Sequence, residues 1–223
     1  MLGADRALAL AHMPARHRPA VEALFAIDAA LGDVVRTTSQ PQLGAIRLAW
    51  WREQLEGLGQ GASPPAEPRL QAVSELLLPR GLRGSAIARL ENGWLRLFDD
   101  FPWGIEVVEA TWFRGRYLFA MAAQLLGGSN ERIEAAGGLY AIVDAARHCS
   151  DAASRKTLLE HARTFARGLG GARIAPPLRP LSMLAALAVR DAVKGEPFEP
   201  EGSRARALAM LGHRVTGKLP TGR

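Results

Sequence analysis

Residues 24–58, LFAIDAALGDVVRTTSQPQLGAIRLAWWREQLEGL, decide the fold of this chain. Apolar side chains recur three and four positions apart before Thr38, which is typical of the buried face of an amphipathic α-helix. Ser39 then matches the N-cap of a second helix, and Pro41 fits its first turn, where a missing backbone N–H costs nothing. The stretch therefore predicts two consecutive helices, one ending near Thr38 and one running from Pro41 through Leu58.

The same helical spacing continues through the rest of the chain. The alternation of polar residues with β-branched and aromatic ones that marks a β-strand is nearly absent, whereas Ala, Leu, Arg and Glu recur at helical intervals. A short first helix is predicted over Ala4 to about Met13, and the second begins at Pro14 or Pro19. Further helices are predicted at about 68–79, 84–99, 104–126, 130–149, 151–169, 180–194 and 203–212. The breaks are short and rich in Gly and Pro, so we predict an all-α bundle that forms a single domain over residues 1–223.

Length and composition exclude several classes of protein. A chain of 223 residues with 48% hydrophobic and 22% charged residues resembles an average globular domain, not a disordered, collagen-like or disulfide-rich protein. Cys149 is the only cysteine, so no intramolecular disulfide forms and a reducing compartment fits best. No run reaches the ~18–20 apolar residues of a membrane span. We therefore expect a cytoplasmic protein, with peripheral association at the inner face of a membrane left open.

The positive charge is concentrated in the second half of the sequence. The net charge is +6, and residues 111–223 hold 17 basic and 9 acidic side chains, including a basic C-terminal helix and tail over residues 196–223. Such a surplus favours anionic partners, which include diphosphates, acidic lipid head groups and nucleic acid. Because the basic residues are scattered over several helices and form no helix-turn-helix signature, we predict no nucleic-acid binding.

Two tryptophans and two arginines crowd one helical segment, RLAWWR. Arg47 can share a helix face with Trp50 or with Trp51, but the two indoles cannot share a face because adjacent positions diverge by about 100°. In one interpretation Arg47 and Trp51 line a pocket for an anionic head group. In the other, one tryptophan fills the core, its neighbour fills a seam between helices, and the arginines stay solvated.

Residues 24–58 resemble the start of the squalene/phytoene synthase family, whose members carry a segment of the type RLxWWRxxL after an Asp-rich helix. Residues 111–128, TWFRGRYLFAMAAQLLGG, resemble the helix before the family's second Asp-rich stretch, and residues 137–151, GGLYAIVDAARHCSD, stand where that stretch belongs. The resemblance covers roughly residues 20–195. It implies a helical bundle of the isoprenoid synthase type with a central cavity, and head-to-head coupling of prenyl diphosphates.

The family chemistry requires metal ligands that this sequence has partly lost. In the family, Mg²⁺ ions held by two DxxxD motifs neutralise the pyrophosphate that leaves an allylic diphosphate. Alignment on the first motif places Gly32 and Arg36 at the two carboxylate positions, leaves Asp33 as the surviving acid, and puts Asp28 a turn away. A cation at position 36 would repel Mg²⁺ and attract a diphosphate.

The second motif keeps half of its pair. Asp144 and His148 take the two spaced positions, with Arg147 between them. The resemblance implies that the residues of both motifs face one cavity, which predicts that Gly32, Asp33, Arg36, Asp144 and His148 lie together. We therefore expect anion binding to persist where metal binding is lost.

The resulting predictions name a ligand class and a set of residues. The substrate-binding candidates are Asp33, Arg36, Arg47, Trp51, Asp144, Arg147 and His148. We predict no resident metal and no cofactor, and an isoprenoid diphosphate or another lipid as the bound molecule. The expected role is that of a lipid-binding or assembly-type factor, since a eukaryotic assembly factor of respiratory complex I is similar to the same family. The alternative is an active farnesyl- or geranylgeranyl-diphosphate transferase that uses Mg²⁺.

Overall fold

The fold is seen in a computed structural model that describes residues 3–128 and 130–221. Within these ranges there is no β-strand, and the one β-type pairing is an isolated bridge between Arg173 and Lys218. The helices are α1 (Ala4–Ala11), α2 (Arg18–Thr37), α3 (Pro41–Gly59), α4 (Pro68–Ala72), α5 (Gly84–Ala88), α6 (Leu90–Leu95), α7 (Ile105–Leu125), α8 (Glu131–His148), α9 (Ala152–Leu169), α10 (Arg179–Lys194) and α11 (Arg204–Thr216). The all-α prediction is confirmed.

Local sequence signals set most of the helix ends. Prolines stand in the first turns of α2, α3 and α10, where their missing N–H removes no hydrogen bond. Asn130, Asp151 and Ser203 cap α8, α9 and α11 by accepting a hydrogen bond from a backbone N–H of the first turn. The predicted cap at Ser39 is wrong by one position, because Gln40 stands at the N-cap of α3 and its side chain makes no capping bond.

Two predicted helices are interrupted, and one is longer than predicted. The segment after α4 continues as a π-helical turn, Val73–Leu77, and a 3₁₀ turn, Leu78–Arg80, while a 3₁₀ turn, Arg96–Phe98, follows α6. The last helix passes through Gly212 and ends at Thr216, and the next residue, Gly217, has the φ of +66° that suits a glycine just beyond a helix end. Gly212 and Gly217 both match the sequence pattern of a helix end, and only tertiary packing decides which of them ends the helix.

Helices α7 and α8 form the centre of the bundle. A Cβ atom built on Gly115 would lie 2.1 Å from the backbone oxygen of Gly137, so the two helices approach each other at a distance that only glycine permits. Helices α9 and α10 cover one side of this pair, and α2 and α6 cover the other. One connected apolar core, with Leu24, Phe119 and Leu184 among its buried members, extends through these helices.

The described part of the chain, which omits residues 1, 2, 129, 222 and 223, has no helix that combines the length and the apolarity needed to cross a membrane. Arg223 of the predicted basic tail is therefore outside the described residues.

Candidate functional site

Four ionisable side chains meet at the centre of the bundle, each supplied by a different helix. Arg6 comes from α1, Asp28 from α2, Arg114 from α7 and Asp144 from α8. Asp28 is fully buried and Arg114 is 1% exposed. Charges removed from water to this extent are tolerated only when opposite charges and hydrogen bonds compensate them, so these four groups form one ionic cluster.

Arg114 bridges the two carboxylates. Its Nη1 donates a hydrogen bond of 2.8 Å to Oδ1 of Asp28, and its Nη2 lies 4.0 Å from Oδ2 of Asp144. The guanidinium carbon lies 3.8 Å from the ring centroid of Trp94, whose Nε1 donates to the same Asp28 oxygen at 2.9 Å. The indole therefore holds both partners of the buried pair in place.

Arg6 closes the cluster from the other side. Its Nη2 lies 3.8 Å from Oδ2 of Asp28 and 3.8 Å from Oδ2 of Asp144, while its Nε donates to the Tyr140 hydroxyl at 2.5 Å. Burial raises the pKa of Tyr140 above its ordinary value, so the hydroxyl stays protonated. Two guanidiniums thus stand between the carboxylates of α2 and α8.

The carboxylate of Asp144 is held in its charged form. Burial by itself raises the pKa of Asp144, but the positive charges of Arg6, His148 and Arg114 outweigh burial and leave that pKa below its ordinary value. The cluster therefore contains two carboxylates and two guanidiniums, whose formal charges cancel.

This set of groups does not fit a Mg²⁺ ion. Mg²⁺ needs several oxygen ligands in octahedral geometry, whereas Asp28 and Asp144 both face the fixed positive charges of Arg6 and Arg114. Across residues 3–128 and 130–221, no group of three or more His, Cys, Asp and Glu side chains is placed to hold a metal ion. A divalent cation brought to this position would be repelled by both arginines.

A cavity of about 310 Å³ opens beside the cluster, between the C-terminal ends of α2 and α8. Its polar wall is formed by Arg36, Asp144 and His148, and its aromatic wall by Trp94, Phe101 and Trp103. The Arg36 guanidinium is 39% exposed and lies 5.8 Å from the Trp94 ring centroid. A cavity with a cationic edge and an aromatic wall suits an amphipathic anion.

His148 stands at the mouth of this cavity with 49% of its side chain exposed. Its Nδ1 lies 2.8 Å from the backbone oxygen of Asp144 and 3.7 Å from that residue's Oδ1. When Nδ1 donates to the backbone oxygen, Nε2 is the nitrogen left for a ligand, and protonation of the ring would make it a second cation beside Arg36.

Asp33 does not join the other predicted residues of the two Asp-rich motifs. It is exposed on α2, where its Oδ1 accepts a 2.9 Å bond from Arg36, and it borders a separate surface groove between α1 and α2. Asp28 faces Asp144 instead. Five residues along a helix rotate a side chain by about 140° from the starting direction, so Asp28 and Asp33 cannot point the same way. Gly32 packs against the edge of the Trp94 ring and is not among the residues that line the cavity.

The two candidates from the tryptophan segment lie away from the cavity. Arg47 is exposed and donates to the Thr38 hydroxyl at 2.8 Å. Trp51 is 7% exposed in the core, with the Arg69 guanidinium 5.2 Å from its ring centroid. Trp50 is 40% exposed. The arrangement agrees with the interpretation in which one indole fills the core.

Arg147 points toward α10 and not into the cavity. Its Nη1 donates to Asp191 at 3.0 Å, and its Nη2 donates to the backbone oxygen of Glu199 at 2.7 Å. Arg147 thus belongs to a second ionic cluster, which also contains Asp5 and Arg206.

Sequence reasoning missed Arg6, Trp94 and Arg114 and gave Asp28 no role. A signal was present for two of them. Arg114 follows Val107 and Thr111 at helical spacing on an inward face, and Asp28 stands between Leu24 and Leu31 on an apolar stripe. A charged residue on the buried stripe of a helix needs a buried partner of opposite charge, and this rule would have marked both.

Comparison with known families gives one match. Residues 3–96 match the family model described as squalene/phytoene synthase. The matched range includes α1 to α6, and with them Arg6, Asp28 and Arg36, whereas α7 and α8 lie beyond it. None of the curated proteins and none of the solved structures matches the chain.

Proposed function

We propose that this chain, whose residues 3–96 match the squalene/phytoene synthase family model, binds an isoprenoid or another lipid with an anionic head group without carrying out metal-dependent prenyl transfer. The observation that carries the proposal is the pair of guanidiniums, Arg6 and Arg114, between the carboxylates of Asp28 and Asp144.

The ionic cluster argues against prenyl transfer on electrostatic grounds. Ionisation of an allylic diphosphate leaves a pyrophosphate whose charge must be neutralised, and a metal ion held by carboxylates is the usual means. Here the carboxylates of Asp28 and Asp144 are already neutralised by the two arginines, and the arginines by the carboxylates. The cluster as a whole is neutral, so it has no surplus positive charge to neutralise a leaving pyrophosphate.

The size of the cavity also argues against prenyl transfer. A volume of about 310 Å³ is near the lower end of the roughly 300–1,000 Å³ range of small-molecule sites. Such a cavity accommodates a head group and the first part of one prenyl chain. Head-to-head coupling places two prenyl chains side by side, which needs considerably more room.

The lining of the cavity supports binding of an anion with an apolar tail. Arg36 is half-exposed at the rim, so it can turn toward a phosphate without leaving a buried partner behind. Trp94, Phe101 and Trp103 provide the apolar wall for an isoprene unit. Because Trp94 and Trp103 line the cavity, tryptophan fluorescence should change when a ligand binds there.

Binding is tested by titrating the protein with farnesyl diphosphate in the presence of EDTA while tryptophan fluorescence is recorded. We expect saturable quenching that is the same with and without the chelator. Arg36→Ala should weaken binding about 10-fold, equivalent to ~1.4 kcal/mol, since it removes a charge-assisted hydrogen bond. Arg96→Ala is the matched control, because Arg96 makes the same type of exposed pair three residues from Asp99 but lines another groove.

Prenyl transfer is tested separately by incubating the protein with farnesyl or geranylgeranyl diphosphate and Mg²⁺ and measuring released pyrophosphate. The proposal predicts no release above background. Turnover would contradict it and support the active transferase. Mass spectrometry of lipids that co-purify with the protein would identify the ligand class.

A further inference from the structure

The outer face of α11 presents a stripe of exposed aliphatic side chains. Leu208, Leu211 and Val215 follow each other at three- and four-residue intervals, and they are 70%, 39% and 77% exposed. The opposite face of the helix is anchored, since Met210 is fully buried and His213 donates or accepts a 2.7 Å hydrogen bond with Ser182 of α10. The stripe therefore belongs to a rigid, well-packed helix whose apolar residues nevertheless face outward.

Basic residues lie near both ends of the stripe. Helix α11 contains no Asp or Glu, and Arg204 is exposed at its first position. Beyond its last turn, exposed Lys218 pairs through its backbone with exposed Arg173. Of the acidic residues just before the helix, Glu196 and Glu199 pair with cations of other helices, and Glu201 is exposed. Arg206 does not contribute to this basic surface, because it is buried and pairs with Asp5 and Asp191.

We propose that the outer face of α11 docks on a membrane surface that contains anionic lipids. A helix with an aliphatic stripe and flanking Lys and Arg lies in the interfacial plane of a bilayer, where the side chains enter the acyl boundary and the cations meet acidic head groups. The proposal concerns a surface separate from the ligand cavity and does not depend on what that cavity binds.

The composition of the face favours a lipid surface over a protein partner. Protein interfaces are anchored by buried Trp, Tyr and Arg in pockets, whereas this face carries aliphatic side chains on a convex helix. A second copy of the chain would bring the same basic residues, Arg204 and Lys218, to a two-fold interface from both sides, and like charges would oppose it.

The test is co-sedimentation of the full chain with phosphatidylcholine vesicles and with vesicles that also contain phosphatidylglycerol. We expect binding to the anionic vesicles alone, and a loss of binding at high salt because the Debye length shortens. Leu208→Ser combined with Val215→Ser should reduce partitioning at least ~10-fold, and Arg204→Glu combined with Lys218→Glu should have a similar effect.

A matched control comes from α3, which exposes its own apolar pair. Leu43 is 50% and Ile46 is 65% exposed, so Leu43→Ser combined with Ile46→Ser removes similar apolar surface elsewhere. This control should bind vesicles as the unaltered chain does, and circular dichroism should show equal helix content in all variants.

Three outcomes would overturn the proposal. They are equal binding to neutral vesicles, an equal loss in the α3 control, and no binding to anionic vesicles. A dimer in sedimentation equilibrium that the Leu208→Ser change abolishes would also overturn it and assign the face to a second copy.

Discussion

The protein contains two buried clusters of two aspartates and two arginines, and they differ in how tightly they are bonded. In the cluster of Asp5, Asp191, Arg147 and Arg206, the charged atoms lie 2.8–3.0 Å apart. In the central cluster, only the Arg114–Asp28 contact is this short, and the other ion pairs measure 3.8–4.0 Å.

The two clusters also differ in unused hydrogen-bonding capacity. Within the described residues, Oδ2 of Asp28 and both Nε and Nη2 of Arg114 are buried without a hydrogen-bond partner, whereas none of the charged atoms of Asp5, Asp191 and Arg206 is in this state. A fully bonded cluster holds α1, α10 and α11 together as structure. The central cluster borders a cavity and contains polar atoms without a hydrogen-bond partner, which is typical of a binding site.

The largest effect is expected from breaking the tight cluster. Arg206→Leu leaves Asp5 without its ion-pair partner and Asp191 with Arg147 alone, and removing one partner of a buried pair typically costs about 3–5 kcal/mol of the free energy of unfolding. Urea denaturation measures the change. Arg204→Ala, at an exposed position two residues earlier, should stay within about 0.5 kcal/mol. A cost for Arg206→Leu below that of the control would show that the cluster is not structural.

The central cluster should show strong coupling between its two most buried members. Arg114→Met leaves Asp28 buried without its short ion pair, and Asp28→Leu does the same to Arg114. The double variant removes both charges, so we expect it to be more stable than the sum of the singles predicts, by about 0.5–3 kcal/mol. A double-mutant cycle in urea denaturation measures this term. Additive effects would mean that the two charges do not depend on each other.

The smallest effect is a pH dependence at the C-terminal end. Burial lowers the pKa of His213 below its ordinary value of 6.5, with a lesser opposite effect from its bond to the backbone oxygen of Lys218. The unfolded state therefore binds the proton more readily, and stability falls as the pH drops below about 6.5, until the folded-state pKa is reached. His213→Gln should flatten this part of the stability profile, and His161→Gln should not. An unchanged slope in His213→Gln would remove His213 as its cause.

Much of the fold could be predicted from sequence because its signals are local. Pro41 and Ser203 mark helix starts within a few residues, and the apolar spacing before Thr38 gave the face of α2 that is buried. The segment at Arg47–Arg52 carried the resemblance to the family, and the match of residues 3–96 to the family model supports it. Helix interruptions such as the π-helical turn at Val73–Leu77 carried no local signal.

The candidate site could be predicted only in part. Arg36, Asp144 and His148 share one cavity, as the two-motif alignment predicts, but Asp33 gives way to Asp28. The order of residues along α2 does not by itself reveal which side of that helix faces α8. Asp28 and Asp33 are five residues apart and point in different directions, so Asp28 pairs with Arg114 and Asp33 pairs with Arg36.

The sequence by itself determined most of the helices and the resemblance to a family that residues 3–96 match, because each depends on residues a few positions apart. Only the tertiary structure decided which cations neutralise the buried carboxylates of Asp28 and Asp144. Arg6 and Arg114 are 108 positions apart in the sequence. They meet at Asp28 and Asp144 because α1, α2, α7 and α8 pack around one centre. A buried charge selects its partner by distance in space, and no spacing along the chain encodes that distance.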